Sequence, residues 1–216
     1  MPVSQLAHHV QQQEQFPADT LLAACRCFAK TGFHGTTLRA IAQEAGVPLG
    51  SLHYHFGNKE KVYRAVIEFL LSVARDLGEK IDAALNELKS QGVSEEERVT
   101  HMFAMYVDFH FDNPEFSKIA LHQMAEFDIE APLKNMHEVI PVDDYAINKM
   151  GTFFGTQTDE RFRTQVMASN MVITGLVGAS SYHKNMLGED IDDDTYRKLV
   201  TQSLVQAYSP NFLRRS

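Results

Sequence analysis

The sequence predicts an all-α protein, with an N-terminal three-helix helix-turn-helix unit followed by a larger helical bundle, about nine helices in all. Three observations predict it. From Pro17 onward, apolar residues recur at three- and four-residue spacing. Val, Ile and Thr are too scattered to build strands of period two. Glycine, proline and capping residues fall where that periodicity breaks, as helix ends require.

Residues 1–15 are rich in Gln and His with little apolar pattern and read as a flexible arm. The arm holds no Lys or Arg of the kind that enters a minor groove. Leu21, Leu22, Cys25, Phe28 and Ala29 then repeat at helical spacing until Gly32, where the first helix should stop. Thr36 or Thr37 caps a second helix with Leu38, Ile41, Ala42 and Ala45 inward, and Gly46 ends it. A short third helix turns Leu52 and Phe56 inward. Asn58 caps a fourth, which runs from Lys59 towards Gly78 or as far as Lys89.

Ser94 with Glu97 forms a capping box that opens a helix with Val99, Met102, Phe103, Tyr106 and His110 on one face. Asn113-Pro114 supplies an N-cap and a first helical residue for a helix reaching about Glu126. Pro132 and Pro141 punctuate the next segment, so its helix begins near Pro141 and ends by Gly155. A long helix is expected from Asp159 to about Leu187, and a last one from Asp192 to Tyr208.

A chain of 216 residues can bury a sizeable core without staples. Cys25 and Cys27, two apart on a helix, point to different faces and suit neither a bridge nor a metal site. Reduced cysteines favour a cytoplasmic protein. The N-terminus lacks a charged-then-apolar leader, and no run approaches the ~20 apolar residues of a membrane span. No phosphate loop, dinucleotide fingerprint or Gly-x-Ser-x-Gly elbow is present, so neither an enzyme nor a cofactor is expected. His101, His110, His122, His137 and His183 show no three- or four-residue spacing, so no metal site is expected either.

The net charge of −8 opposes phosphate binding at first sight. Its distribution softens the objection. Four basic and four acidic side chains balance over residues 1–60, and the remaining 16 basic and 24 acidic ones carry the whole excess. A neutral front and an acidic rear suit a division of labour in which only the front approaches DNA.

The second and third helices are joined by Glu44-Ala45-Gly46-Val47-Pro48, in which glycine permits the left-handed turn and Ala45 and Val47 pack the helices together. Leu21 to Tyr63 reads LLAACRCFAKTGFHGTTLRAIAQEAGVPLGSLHYHFGNKEKVY. Ala24, Phe28, Gly32-Phe33, Gly35-Thr36-Thr37, Ile41-Ala42, Ala45-Gly46-Val47, Leu52, Tyr54-His55-Phe56 and Lys59-Glu60 carry a close resemblance to the N-terminal signature of the TetR family of transcriptional regulators.

The resemblance implies a helix-turn-helix DNA-binding domain over 16–62 and a ligand-sensing and dimerisation domain over 63–216. The third helix would lie in the major groove of a double-stranded operator, with Leu49, Gly50, Ser51 and His53 towards base edges and Arg39 of the second helix beside them. Arg39 can bond guanine O6 and N7 together, which is worth ~1–3 kcal/mol of discrimination. Thr37, Tyr54, His55 and Lys59 match positions that such regulators use on the DNA backbone, Thr37 and Lys59 at helix N-termini where anions are favoured. His53 stands where tyrosine is common in that family, a departure that can make binding pH-sensitive.

In the rear domain, the stretch from Val166 to Ala179 is apolar nearly all round, so burial on several sides is expected. Gly175, Gly178, Ala179 and Ser180 would let a second helix approach closely. With the last helix, whose Tyr196, Leu199, Val200, Leu204 and Ala207 share a face, this stretch is similar to the family's dimerising pair and implies a homodimer through the last two helices. A two-fold dimer implies a pseudo-palindromic operator. A pocket lined by Phe103, Met124, Phe127, Met136, Phe153, Phe154, Met167 and Met171 would be mostly apolar, with Tyr106, His110, His122, His137, Asn170 and Thr174 as orienting polar groups. A hydrophobic or aromatic small-molecule effector follows. The resemblance thus implies a sequence-specific transcriptional repressor that the effector releases from its operator, with activation, ligand-independent DNA binding and a helical interaction adaptor as the competing functions.

Overall fold

The computed structural model describes residues 18–126, 142–154, 159–188 and 191–213. The expected arm at 1–15, the Pro132 punctuation and the pocket candidates Phe127, Met136 and His137 lie outside them. The described residues form ten helices: α1 (Ala18–Gly35), α2 (Leu38–Ala45), α3 (Leu49–Phe56), α4 (Lys59–Ser90), α5 (Glu95–Asp112), α6 (Pro114–Glu126), α7 (Val142–Phe154), α8 (Glu160–Gly178), α9 (Ser180–Leu187) and α10 (Asp193–Leu213). None is long and apolar enough to cross a membrane.

The chain divides into two compact units. Among the described residues the first comprises α1 to α3, α4 up to Val73, Asp112 and α6. The second comprises α4 from Ala74, α5 up to Phe111, and α7 to α10. The first unit is thus larger than the helix-turn-helix itself, because α1 packs against α6 as well as α2.

Inside the first unit, Phe28, Phe33 and Tyr63 form an aromatic core, with the Tyr63 ring 4.8 Å from Phe28 and 5.1 Å from Phe33. Regular helix in α1 breaks at Gly32 (φ 68°, ψ −176°), where the sequence places its end. The buried Thr36 hydroxyl donates to the Gly32 carbonyl at 2.7 Å and closes the turn that follows. Cys25 is buried and its thiol is pushed up to about 12, chiefly by burial and then by the nearby Glu115. Such a thiol stays protonated and unreactive.

The second unit has its own core, built from Ile81 and Leu85 of α4, Val99, Phe103 and Val107 of α5, Ile147 of α7, Val166 and Ile173 of α8, and Tyr196, Val200 and Leu204 of α10. Caps appear where the sequence puts them. The Ser94 and Glu97 side chains satisfy each other's backbone N–H groups at 3.2 Å. Asp159 accepts from the Phe162 N–H at 2.8 Å at the start of α8. Asp192 accepts from Thr195 at the start of α10, which holds its carboxyl below the usual range.

Two expectations change. The long helix from Asp159 to Leu187 breaks at Ala179 (φ −108°, ψ 26°), giving α8 and α9 in place of one helix. Gly175, Gly178 and the serines beside the break are weak helix formers, so one off-helical residue costs little there. The apolar run of α8 is not buried all round either. Its Val166, Ile173 and Val177 face the core, but Met167, Met171 and Val172 are 46%, 59% and 37% exposed.

Candidate nucleic-acid interface and ligand cavity

The helix-turn-helix is assembled by local bonds. Thr37 is the N-cap of α2, its hydroxyl accepting from the Ala40 N–H at 3.1 Å. Gly46 closes α2 in the left-handed conformation (φ 68°, ψ 27°), which only glycine adopts without strain. The Val47 N–H then donates to the Ala42 carbonyl at 3.0 Å, a Schellman-type closure that aims the chain into α3. Leu52 and Phe56 are buried at 1% and 4% exposure and fix which face of α3 points outward. An exposed pair, Arg26 Nε to Glu44 Oε1 at 2.7 Å, links α1 to α2 at small energetic value.

Of the expected DNA-contacting residues, Thr37, Arg39, Leu49, Gly50, His53, Tyr54 and His55 are exposed, and Ser51 and Lys59 are half-buried. Tyr54 is 87% exposed, a degree that packing does not explain for an aromatic ring. Arg39 makes no ion pair among the described residues, so its guanidinium fork is unspent. Lys59 has a second role that the spacing does not show. Its Nζ donates to the Phe33 carbonyl at 2.8 Å and lies 4.3 Å from the centre of the Phe33 ring, tying the start of α4 to the end of α1. An ammonium has three donors, so two remain for a phosphate.

The second unit contains a cavity of about 670 Å³, counting the space open to solvent at its mouth. Its walls come from Ala74, Gly78, Ile81, Asp82 and Leu85 of α4, Met102, Phe103 and Tyr106 of α5, Lys149, Met150 and Phe153 of α7, and Ser169, Asn170 and Ile173 of α8. Four expected ligand residues, Phe103, Tyr106, Phe153 and Asn170, therefore share one cavity.

The other candidates among the described residues do not line it. Thr174 is buried off the wall. Met167 and Met171 project outward, because helical phase assigns the inner face of α8 to Val166, Ser169, Asn170 and Ile173. Met124, expected beside them, is exposed on α6, and His122 of α6 belongs to the first unit. His110 is buried against the rings of Tyr106 and Phe109 at 5.7 and 5.5 Å. Burial pushes its imidazole down to about 3, so it is neutral at physiological pH.

Sequence reasoning missed the charged pair in the cavity wall. Lys149 Nζ bonds Asp82 Oδ2 across 67 positions of sequence. No local pattern marks either residue, because each is an ordinary helix-surface residue until α4 and α7 meet. Arg98 lies over the Phe153 ring, its guanidinium carbon 5.6 Å from the ring centre. Among the described residues no three His, Cys, Asp or Glu side chains cluster to hold a metal.

Comparison with known proteins bears on the two regions unequally. Residues 21–66 match the family described as bacterial regulatory proteins, tetR family. The chain is 39% identical over 83 residues to the HTH-type transcriptional regulator LmrA of Bacillus subtilis, which covers 33% of this chain and 44% of that protein. It is 31% identical over 93 residues to the HTH-type transcriptional repressor KstR2 of Mycobacterium tuberculosis, covering 41% of this chain and 46% of the relative. The matches thus span less than half of either relative. Among solved structures, the chain is similar in fold to the fatty acid degradation regulator FadR from Bacillus halodurans, with a TM-score of 0.59, covering 92% of this chain and 96% of that one at 18% identity.

Proposed function

We propose that this chain, whose residues 21–66 match the tetR family of bacterial regulatory proteins, is a sequence-specific repressor released from a palindromic operator by a small apolar effector. The observation that carries the reading is the surface of α2 and α3. Leu52 and Phe56 are buried, while Thr37, Arg39, Gly50, His53, Tyr54 and His55 stand exposed on one short module. A guanidinium with no ion pair among the described residues, an aromatic ring as exposed as that of Tyr54 and the helix N-terminus at Thr37 all suit a duplex.

In this proposal Arg39, Leu49, Gly50, Ser51 and His53 meet base edges, and Thr37, Tyr54, His55 and Lys59 meet the backbone. Residues 16–62 form the DNA-binding domain, and 63–216 form the sensing and dimerising domain. The effector occupies the cavity among Phe103, Tyr106, Phe153 and Asn170, whose apolar walls suit a hydrophobic or aromatic body and whose few polar groups orient it. Helix α4 carries Lys59 at its first residue and the cavity residues Ala74, Gly78 and Ile81 farther along, so both functions share one helix.

The protein acts as a cytoplasmic homodimer through α8 and α10. The face of α10 formed by Tyr196, Val200 and Leu204 is occupied inside the protomer, at 2%, 3% and 0% exposure. The exposed Met167, Met171 and Val172 of α8 and Leu199 of α10 are the surface left for a partner. Selection of random duplex DNA by the purified protein tests the proposal. An inverted repeat is expected, with its enrichment abolished in Arg39→Ala. A folded dimer that enriches no motif at low salt overturns it.

A further inference from the structure

His53 is held in a single tautomer by the end of its own helix. Ring atom Nδ1 lies 3.1 Å from the carbonyl oxygen of Gly57. A carbonyl oxygen can only accept, so Nδ1 carries the hydrogen and Nε2 is the bare nitrogen of the neutral ring. The contact is closed from both sides, since the Gly57 N–H donates to the His53 carbonyl at 3.0 Å. Gly57 has a φ of 79°, a backbone state that favours glycine and sets its carbonyl in place. Nε2 makes no hydrogen bond among the described residues, and the side chain is exposed. The next two side chains, Tyr54 and His55, pack edge-to-face on each other at 5.2 Å.

A bare ring nitrogen is an acceptor, and so is a phosphate oxygen, so the neutral ring cannot hold the DNA backbone through Nε2. In the major groove, guanine N7 and O6, adenine N7 and thymine O4 are closed to it for the same reason. Only the exocyclic amino groups of cytosine and adenine can donate to it there. We propose that His53 is a specificity-determining acceptor that reads the amino group of a cytosine or adenine. The inference rests on the DNA-binding reading above. Tyrosine at this position would donate from its hydroxyl and could hold a phosphate; this histidine is built for the opposite polarity.

Two measurements test it. Long-range proton–nitrogen NMR spectra of the free protein near pH 8, with His53→Phe assigning the signals, should show a protonated Nδ1 and a bare Nε2. The opposite tautomer overturns the inference without touching the function. On the selected operator, each enriched adenine or cytosine is then replaced in turn by its analogue lacking the amino group. One position per half-site should cost the wild type about fivefold in affinity, the weight of one neutral hydrogen bond, and cost His53→Phe nothing. If His53→Phe, shown folded by circular dichroism, loses as much as the wild type at every position, His53 reads no amino group. An operator that depends on Arg39 but has no His53-coupled position overturns this inference alone. Failure to enrich any operator overturns the DNA-binding reading and this inference with it.

Discussion

Acidification should destabilise this protein through His110 before the carboxylates contribute most of their share. The side chain is 3% exposed, and its imidazole is pushed down to about 3, whereas in the unfolded chain it titrates near the ordinary 6.5. Above 6.5 both states hold a neutral ring and stability is complete. Below 6.5 the unfolded chain takes up a proton that the folded one refuses, so stability falls with pH until about 3. The slope is about 1.4 kcal/mol per pH unit, which amounts to about 2 kcal/mol between pH 7.5 and 5. The assay is urea unfolding by circular dichroism at fixed protein concentration over that range, on the wild type and on His110→Gln. The glutamine variant has lost ring contacts and starts less stable, but the gap between the two should narrow by about 2 kcal/mol as pH falls to 5. A gap that stays constant would refute the buried neutral imidazole.

Gly46→Ala should cost about 1–2 kcal/mol, because a Cβ meets nothing within 4 Å and only the left-handed backbone is strained. Thermal melting of the variant reads that loss, and an unchanged midpoint contradicts the turn geometry. Leu204→Ala should cost about 2–5 kcal/mol as a core truncation, since the side chain is 0% exposed. Met171→Ala should leave the fold intact and weaken self-association, read by sedimentation; equal effects of the two variants on dimerisation would contradict the proposed interface.

Local chemistry made much of this architecture legible from the residues alone. Thr37, Asn58, the Ser94–Glu97 box and Asp159 cap helices through bonds that span three residues. The turn at Gly46 likewise follows from bonds over a few positions. The exposed residues of α3 could be anticipated because Leu52 and Phe56 set the helical phase. Only the tertiary structure decided which of two apolar faces a helix keeps for itself. Periodicity marks Tyr196, Val200 and Leu204 as apolar without saying whether core or partner covers them. The second unit takes them for its own core and turns Met167 and Met171 outward. The Asp82–Lys149 pair in the cavity wall and the Lys59–Phe33 tie join residues 67 and 26 positions apart. Such contacts exist only after helices pack, since helical spacing relates neighbours one turn apart and carries no information about which helix comes to lie beside which.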